Sequence, residues 1–359
     1  MADSRKRVAS GAGNCHPPAR VTEEKTSAKK PGGILSRIVA IGCSTLTWLI
    51  LLAGILWAFG ALWFDFPLAD QRPVAAAVFG VVAVAVAIFA RPRWLAKLGV
   101  AVVIGAVMGW WFTLQPRQFL DWKPEVALLP YATLDGEVVT IRNVRNFEYR
   151  TLEDFTPCYD LRRLDLRNLR GVDLFVTYWG SPYLAHPILS FDFGKDGRIC
   201  FSIETRPVRG QTYSAIGGFY RQFELAYVVA DERDVIRVRT NYRKGEDVYL
   251  YHMKAPFMKE MFLEYIRTVN ELYDSPRWYN AITDNCTSAI RNQRTASERA
   301  PWDWRLLVNG LADELLYERG SLDQSLPFAE LKQLAHINER AKAANDEPDF
   351  SARIRKREP

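Results

Sequence analysis

The stretch HPILSFDFGKDGRICFSIETR, His186 to Arg206, carries the pattern on which the fold turns. Two runs alternate apolar and polar residues with period two, and Gly194-Lys195-Asp196-Gly197 parts them. That is the mark of two antiparallel strands joined by a tight turn. Leu189, Phe191 and Phe193 point to one face, and Ile199, Phe201 and Ile203 make the matching set on the return strand. When those sets share a face, the opposite face carries His186, Ile188, Ser190 and Asp192 with Cys200, Ser202 and Glu204. Any register with an even position sum does this, such as a three-residue loop with a bulge at Gly197. It sets Glu204 across from, or diagonal to, His186. A one-residue slip would bring Thr205 there and mix the apolar sets. Glu204 is therefore the candidate orienter of the His186 imidazole. The competing expectation pairs Glu204 with an arginine such as Arg206 or Arg209.

Around this hairpin, residues 116–359 read as one soluble domain, long enough for a substantial core. EVVTIRNVRNFEY (137–149) and GVDLFVTYWG (171–180) have strand character. QFELAYVVADERDVIRVRTNYR (222–243) suggests two further strands around an acidic turn. Helical spacing recurs in PFMKEMFLEYIRTVNELYD (256–274), DWRLLVNGLADELLYERG (303–320) and FAELKQLAHINERAKAAN (328–345), and another helix opens at Cys286. The domain is expected to be α+β: a mostly antiparallel sheet followed by C-terminal helices.

The chain has 359 residues, 48% hydrophobic and 25% charged, and this average hides a sharp segregation. Three apolar runs, about 38–64, 74–90 and 98–114, lie within residues 34–115. A bilayer core takes about 20 apolar residues as helix, with a lower limit of about 17. Three transmembrane helices are therefore expected after a disordered cytoplasmic tail, 1–33. Orientation follows from basic residues in short loops. The tail and first turn hold Arg5, Lys6, Arg7, Arg20, Lys25, Lys29, Lys30 and Arg37, and the loop after the second helix holds Arg91, Arg93 and Lys97. The loop between the first two helices has only Arg72 beside Asp65 and Asp70. The tail is then inside and everything after residue 115 outside, with Trp110, Trp111 and Phe112 as an interfacial belt. The net charge of +6 partly reflects this topology signal. With no basic stripe interleaved with aromatics, nucleic acid is not an expected partner.

An outward-facing domain meets an oxidising compartment. It holds three cysteines, Cys158, Cys200 and Cys286, so at least one is unpaired; Cys158 with Cys200 is a possible disulfide. Cys286 follows Thr283, Asp284 and Asn285, all good helix caps. A cysteine in a first helical turn has its thiolate stabilised by unpaired N–H groups and the macrodipole. Those N–H groups also suit an oxyanion. Of the histidines in the domain, His252 ends a strand and His336 lies in a C-terminal helical run, where both read as packing or surface residues. His186 opens the hairpin. Cys286 with His186, oriented by Glu204, has the logic of a cysteine nucleophile and its base. The bland alternative is a merely buried Cys286. No ligand cluster has metal spacing, and no cofactor or metal is expected.

The motifs RNVRNFEYR, YWGSPYLAHPILSFDF, FSIETR, YSAIGGFYRQFELAYVVADERDVIRVRTNYRKGEDVYLY, WYNAITDNCTSAIR, PWDWRLLVNG and SLPFAELK resemble, in this order, the Lnb-type N-terminal periplasmic domain family. The resemblance runs from about Trp122 to about Ile354. The family is named for a bacterial lipoprotein intramolecular transacylase. It implies a circularly permuted papain-like (NlpC-type) fold, in which the histidine precedes the cysteine as His186 precedes Cys286. It implies a protein of the bacterial inner membrane, multi-pass, with its C-terminal domain in the periplasm. Its chemistry would be thiol acyl transfer or hydrolysis through Cys286 and His186 on a lipoprotein or phospholipid acyl ester. A cell-wall peptidase or amidase using the same dyad, and a non-catalytic envelope scaffold, are the alternatives. Oligomeric state is not legible. The namesake's membrane helices follow its hydrolase-like domain, whereas here they precede it, so a shared fold can serve a different substrate.

Overall fold

The computed structural model describes residues 33–117, 119–214, 216–281 and 301–356. The chain divides into two compact units, residues 1–50 and 51–359. The described part of the first is the N-terminal half of an apolar helix, α1 (Ile34–Asp65), which continues into the second. There follow α2 (Arg72–Phe89) and α3 (Arg93–Thr113). Ser36–Asp65, Ala69–Phe89 and Arg93–Thr113 are each long and apolar enough to cross a membrane. Pro73 sits in the first turn of α2, where a missing N–H costs nothing. Helices α2 and α3 bury small residues, among them Ala76, Ala83 and Ala96, which let backbones approach closely where no water drives association.

The rest of the second unit is built on strands β1 (Tyr131–Asp135), β2 (Val138–Arg145), the short β3 (Glu148–Tyr149) and β4 (Phe155–Thr156), β5 (Tyr159–Asp165), β6 (Gly171–Trp179), β7 (Ser181–Asp192), β8 (Arg198–Arg206), β9 (Glu224–Ala230) and β10 (Glu246–Met253). Their sheet runs β1-β2-β9-β8-β7-β6-β10, with β5 also on β2, while β3 and β4 pair separately. Pairing is antiparallel except where β2 meets β9 at Arg145 and Ala230. Strand β6, between β7 and the edge strand β10, is buried along almost its whole length, which is why GVDLFVTYW is largely apolar on both sides of its pleat.

The quoted hairpin has the expected register. Ile188 faces Ser202, Leu189 faces Phe201 and Ser190 faces Cys200, an even sum throughout. Gly194–Asp196 make a single tight turn, and Gly197 closes it at φ 92°, which only glycine adopts cheaply. One face of the hairpin, with Leu189, Phe191, Phe193, Ile199, Phe201 and Ile203, packs under helix α5, which spans Met258–Asp274. That helix turns Met261, Phe262, Tyr265, Ile266, Val269 and Leu272 inward, the spacing of one helical stripe. Each such side chain fully buried stabilises the fold by about 1.5–3 kcal/mol. The other face, with Ile188 and Cys200, packs under residues of α4 (Glu232–Val235) and of the C-terminal segment. After α6 (Ala312–Glu318) and α7 (Phe328–Ala335), that segment supplies Ile337, then Ala341 on α8 (Asn338–Ala343) and Phe350 on α9 (Phe350–Arg353). The α+β class holds, with helices on both faces of the sheet.

Four expectations are corrected. The second strand expected within 222–243 is helical: α4 leads into a wide π-type turn, Val238–Tyr242. Asp231 caps α4 by accepting from the Arg233 N–H, and Val235, Ile236, Val238 and Arg239 are all buried, so burial on every side mimicked alternation. The helix expected from Asp303 is two 3-10 turns before α6. The helix expected over 328–345 is broken at His336 and Ile337, because the Ile337 N–H donates to the Val248 carbonyl at the sheet edge. Cys158 and Cys200 are both free, the first exposed and the second buried. The expected tail and the helix opening at Cys286 lie outside the described residues.

Candidate active site

His186 is placed by β7 and Glu204 by β8. The register that pairs Ile188 with Ser202 carries on to set His186 level with Glu204, and both point to the face shared with Ser202. A short hydrogen-bonded chain links them. His186 Nε2 lies 2.7 Å from Ser202 Oγ and 3.3 Å from Glu204 Oε1. Ser202 Oγ donates to Glu204 Oε1 at 2.6 Å, and an Arg239 N–H donates to the same oxygen at 2.8 Å. Burial pushes the Glu204 carboxyl up. Beside it His186 when protonated and the Arg239 charge, with hydrogen bonds from His186 and Ser202, outweigh this and hold it well below the usual carboxylate range. Glu204 is therefore an anion that can only accept.

That fixes the imidazole. The single Ser202 hydroxyl hydrogen is used on Glu204, so the serine offers His186 a lone pair, and Nε2 carries the proton. In the neutral ring the basic nitrogen is then Nδ1. The His186 side chain is 12% exposed, enough shelter to hold one orientation and enough access to meet a reactant.

Glu204 does pair with an arginine, as the competing expectation had it, but the partner is Arg239 and neither of the two named. Arg206 pairs with Glu224 and Arg209 with Asp121. Sequence reasoning missed Ser202 as the bridge and Arg239 as the counter-charge. The hairpin parity already put Ser202 on the right face. Arg239 was hidden by the strand assignment, since only the helical turn after α4 brings it to Glu204. It is 3% exposed and also donates to the Val235 carbonyl, so it is held from two sides. Cys286, the third residue of the expected site, lies outside the described residues. Cys200 is no substitute: burial, with Glu232 beside it, pushes its thiol well above the ordinary range.

The site stands at one end of the sheet. On β9, Ala226 faces Glu204 and Glu224 faces Arg206. The line through His186 and Glu204 is thus two residues, about 7 Å, from the first residue of β9. The loop entering β9 is fastened to the ends of the apolar helices. Asp65, the last residue of α1, accepts from Trp111 Nε1 at 2.7 Å, from the Arg221 N–H at 3.0 Å and from Gln222 Nε2 at 2.9 Å. The Arg221 guanidinium donates to the Leu114 carbonyl and lies 4.1 Å from the Trp111 ring centre. The Trp278 indole N–H donates to the same carbonyl at 3.3 Å, and Trp278 bridges to Glu224. Every one of these polar groups would otherwise be stranded near hydrocarbon, where an unmet partner costs most.

The model of the Lnb N-terminal periplasmic domain family matches residues 155–310. The match contains His186, Ser202, Glu204 and Arg239, and also the position of Cys286. No curated protein and no solved structure matches the chain. With its apolar helices the protein is thus an Lnb-like envelope protein, associated with a membrane and carrying a periplasmic domain.

Proposed function

We propose that this is a multi-pass inner-membrane thiol acyltransferase or hydrolase acting on acyl esters of lipoproteins or phospholipids. The observation that carries the reading is the fixed imidazole. His186 has its Nε2–H tied through Ser202 to an ionised Glu204, as a base that must present Nδ1 to a nucleophile requires. The order His186 before Cys286 is that of a permuted papain-like fold. The place of His186, about 7 Å from the strand end fastened to the helices, suits an ester at the level of a bilayer surface.

In this mechanism His186 Nδ1 takes the Cys286 thiol proton, and the thiolate attacks the ester carbonyl carbon. The tetrahedral oxyanion collapses, the C–O bond breaks, and the imidazolium returns the proton to the leaving alkoxide. An acyl thioester on Cys286 and a free alcohol result. An amine or water then attacks the thioester, losing its proton to His186, and the thiolate leaves and is reprotonated. Glu204 and Arg239 do not touch the substrate. They set the ring orientation and stabilise the imidazolium that forms at each step.

The test is mass spectrometry of lipoprotein N-termini and phospholipids from cells carrying the wild-type chain, Cys286→Ala or His186→Ala. Acyl products present with the wild type and lost with both variants support the reading. Unchanged acylation sinks it. Altered cell-wall peptides would move the same dyad to a peptidase, and phenotypes untouched by Cys286→Ala would leave a scaffold.

A further inference from the structure

The loop that fastens β9 to the helices also bears apolar side chains that the described residues leave substantially exposed. Tyr213 is 53% exposed, Ile216 62% and Phe219 45%; Phe119, just beyond α3, is 93% exposed. In a water-facing loop, such a concentration of large apolar residues is a liability unless a partner takes them up. Their height relative to the apolar helices is fixed by their neighbours. Tyr220, next to Phe219, stacks on Phe64 with ring centres 5.1 Å apart. Its hydroxyl comes so close to Gly60 that a Cβ there would lie 1.9 Å from it. Gly60 is five residues before the end of α1, about 7–8 Å down the helix axis. Tyr220 therefore reaches to the level of the spans themselves, and its neighbour Phe219 leaves the same turn partly exposed. Phe119 is tied to the same end of the sheet. The Arg117 N–H donates to Glu224, and the Lys123 N–H to the Pro207 carbonyl. Arg117, Arg209 and Arg221 lie two to four residues from these side chains along the chain, Arg209 paired with Asp121 and Arg221 set over the Trp111 ring. Aromatic rings with basic neighbours are what the boundary between lipid headgroups and acyl chains accommodates.

We propose that Tyr213, Ile216, Phe219 and Phe119 form a lipid-contact surface, seated in the headgroup–acyl boundary of the leaflet in which α1 and α3 end. The surface is continuous with the helices. It gives the periplasmic domain a further attachment beside the polar latch at Asp65, and it fixes which face of the sheet end turns to the lipid. It stands on the helices crossing a bilayer and does not depend on the acyl-transfer reading.

The full chain, reconstituted in vesicles of phosphatidylethanolamine and phosphatidylglycerol, tests this with p-benzoylphenylalanine placed singly at Phe219, Phe119 or Tyr213. Leu56, an exposed residue of α1, is the positive reference. Lys195, in the hairpin turn at the opposite end of β8, is the negative one. After irradiation, mass spectrometry should find phospholipid adducts at the three loop positions within a few-fold of Leu56, with only background at Lys195. Adducts at Leu56 but only background at Phe219 and Phe119 would overturn the proposal. So would equal yields at Phe219 and Lys195, which would mean indiscriminate capture.

Discussion

The sheet carries two histidine–carboxylate–arginine clusters on one face, and they differ in what their geometry permits. The first is His186, Ser202, Glu204 and Arg239. The second lies four residues along β7, about 13 Å away, where Ser190 faces Asp173. There His252 Nδ1 lies 2.9 Å from Asp173 Oδ1, and Arg355 bridges Asp173 and Glu232. Ser190 Oγ donates to Glu232. The residue types are nearly the same. In the second cluster, however, the imidazole is the outermost member, 74% exposed, and the hydrogen bond to Asp173 raises its pKa. An imidazole held more protonated, with open water around it, is a poor base. Arg355 and the buried carboxylates do the structural part, closing the C-terminal segment onto the sheet. In the first cluster the imidazole is sheltered, its carboxylate has a separate counter-charge in Arg239, and the sheet end beside it is the one tied to the apolar helices. Residue types alone do not separate the two clusters; burial, the hydrogen-bond route and position on the sheet do, and on the proposed reading they make His186 the base and the second cluster a brace.

Substitutions that exchange the roles of the two clusters test this contrast. The largest effect is expected from His186→Ala, with acyl transfer falling about 10⁴-fold while the melting temperature stays near that of the wild type. His252→Ala should leave turnover unchanged. Equal losses from both would erase the distinction. Arg355→Ala should act on the fold instead, costing about 3–5 kcal/mol because it removes the cation shared by buried Asp173 and Glu232 and leaves them only His252 and Ser190. Denaturant unfolding in detergent measures it, and a near-neutral outcome would remove the structural role. Glu204→Gln keeps the shape but loses the anion, so turnover should drop by about 10²-fold, and stability above pH 5 should also fall, though less steeply, because buried Arg239 loses its counter-charge. A drop matched by loss of folded protein would make Glu204 a brace as well.

The smallest effects are in pH dependence. Glu204 is held below its ordinary 4.5, so its contribution to stability is present above that value and is lost as pH falls through the folded one. His252 is raised above 6.5. Its contribution is complete below 6.5 and is lost as pH rises through the folded value. Solvent screening at so exposed a side chain limits it to about a few tenths of a kcal/mol. Thermal melts from pH 5 to 9 should show this shallow decline in the wild type and not in His252→Ala.

Much of the first cluster was legible because a hairpin has so few free choices. Period-two alternation, a turn ending in Gly197 and two matched apolar sets allowed one parity, and parity alone put His186, Ser202 and Glu204 together. Arg239 was not legible. It lies 35 residues from Glu204, and VIRVRT alternates as a strand would, because the turn that carries it is buried all round. The second cluster was equally hidden, since Arg355 reaches Asp173 across 182 positions and no local pattern encodes that contact. The apolar helices were legible from length and hydropathy. The latch between them and β9 was not, because Asp65, Arg221 and Gln222 look like ordinary loop residues until the fold stacks them.

The central claim is that His186 makes a nucleophile of Cys286 at the membrane end of the sheet. It is tested most directly by treating the purified full chain with a thiol-reactive acyl ester probe and locating the adduct by peptide mass spectrometry. The account predicts rapid acylation of Cys286, abolished by His186→Ala, slowed by Glu204→Gln and untouched by His252→Ala. Labelling of Cys286 at the same rate with and without His186 would contradict it.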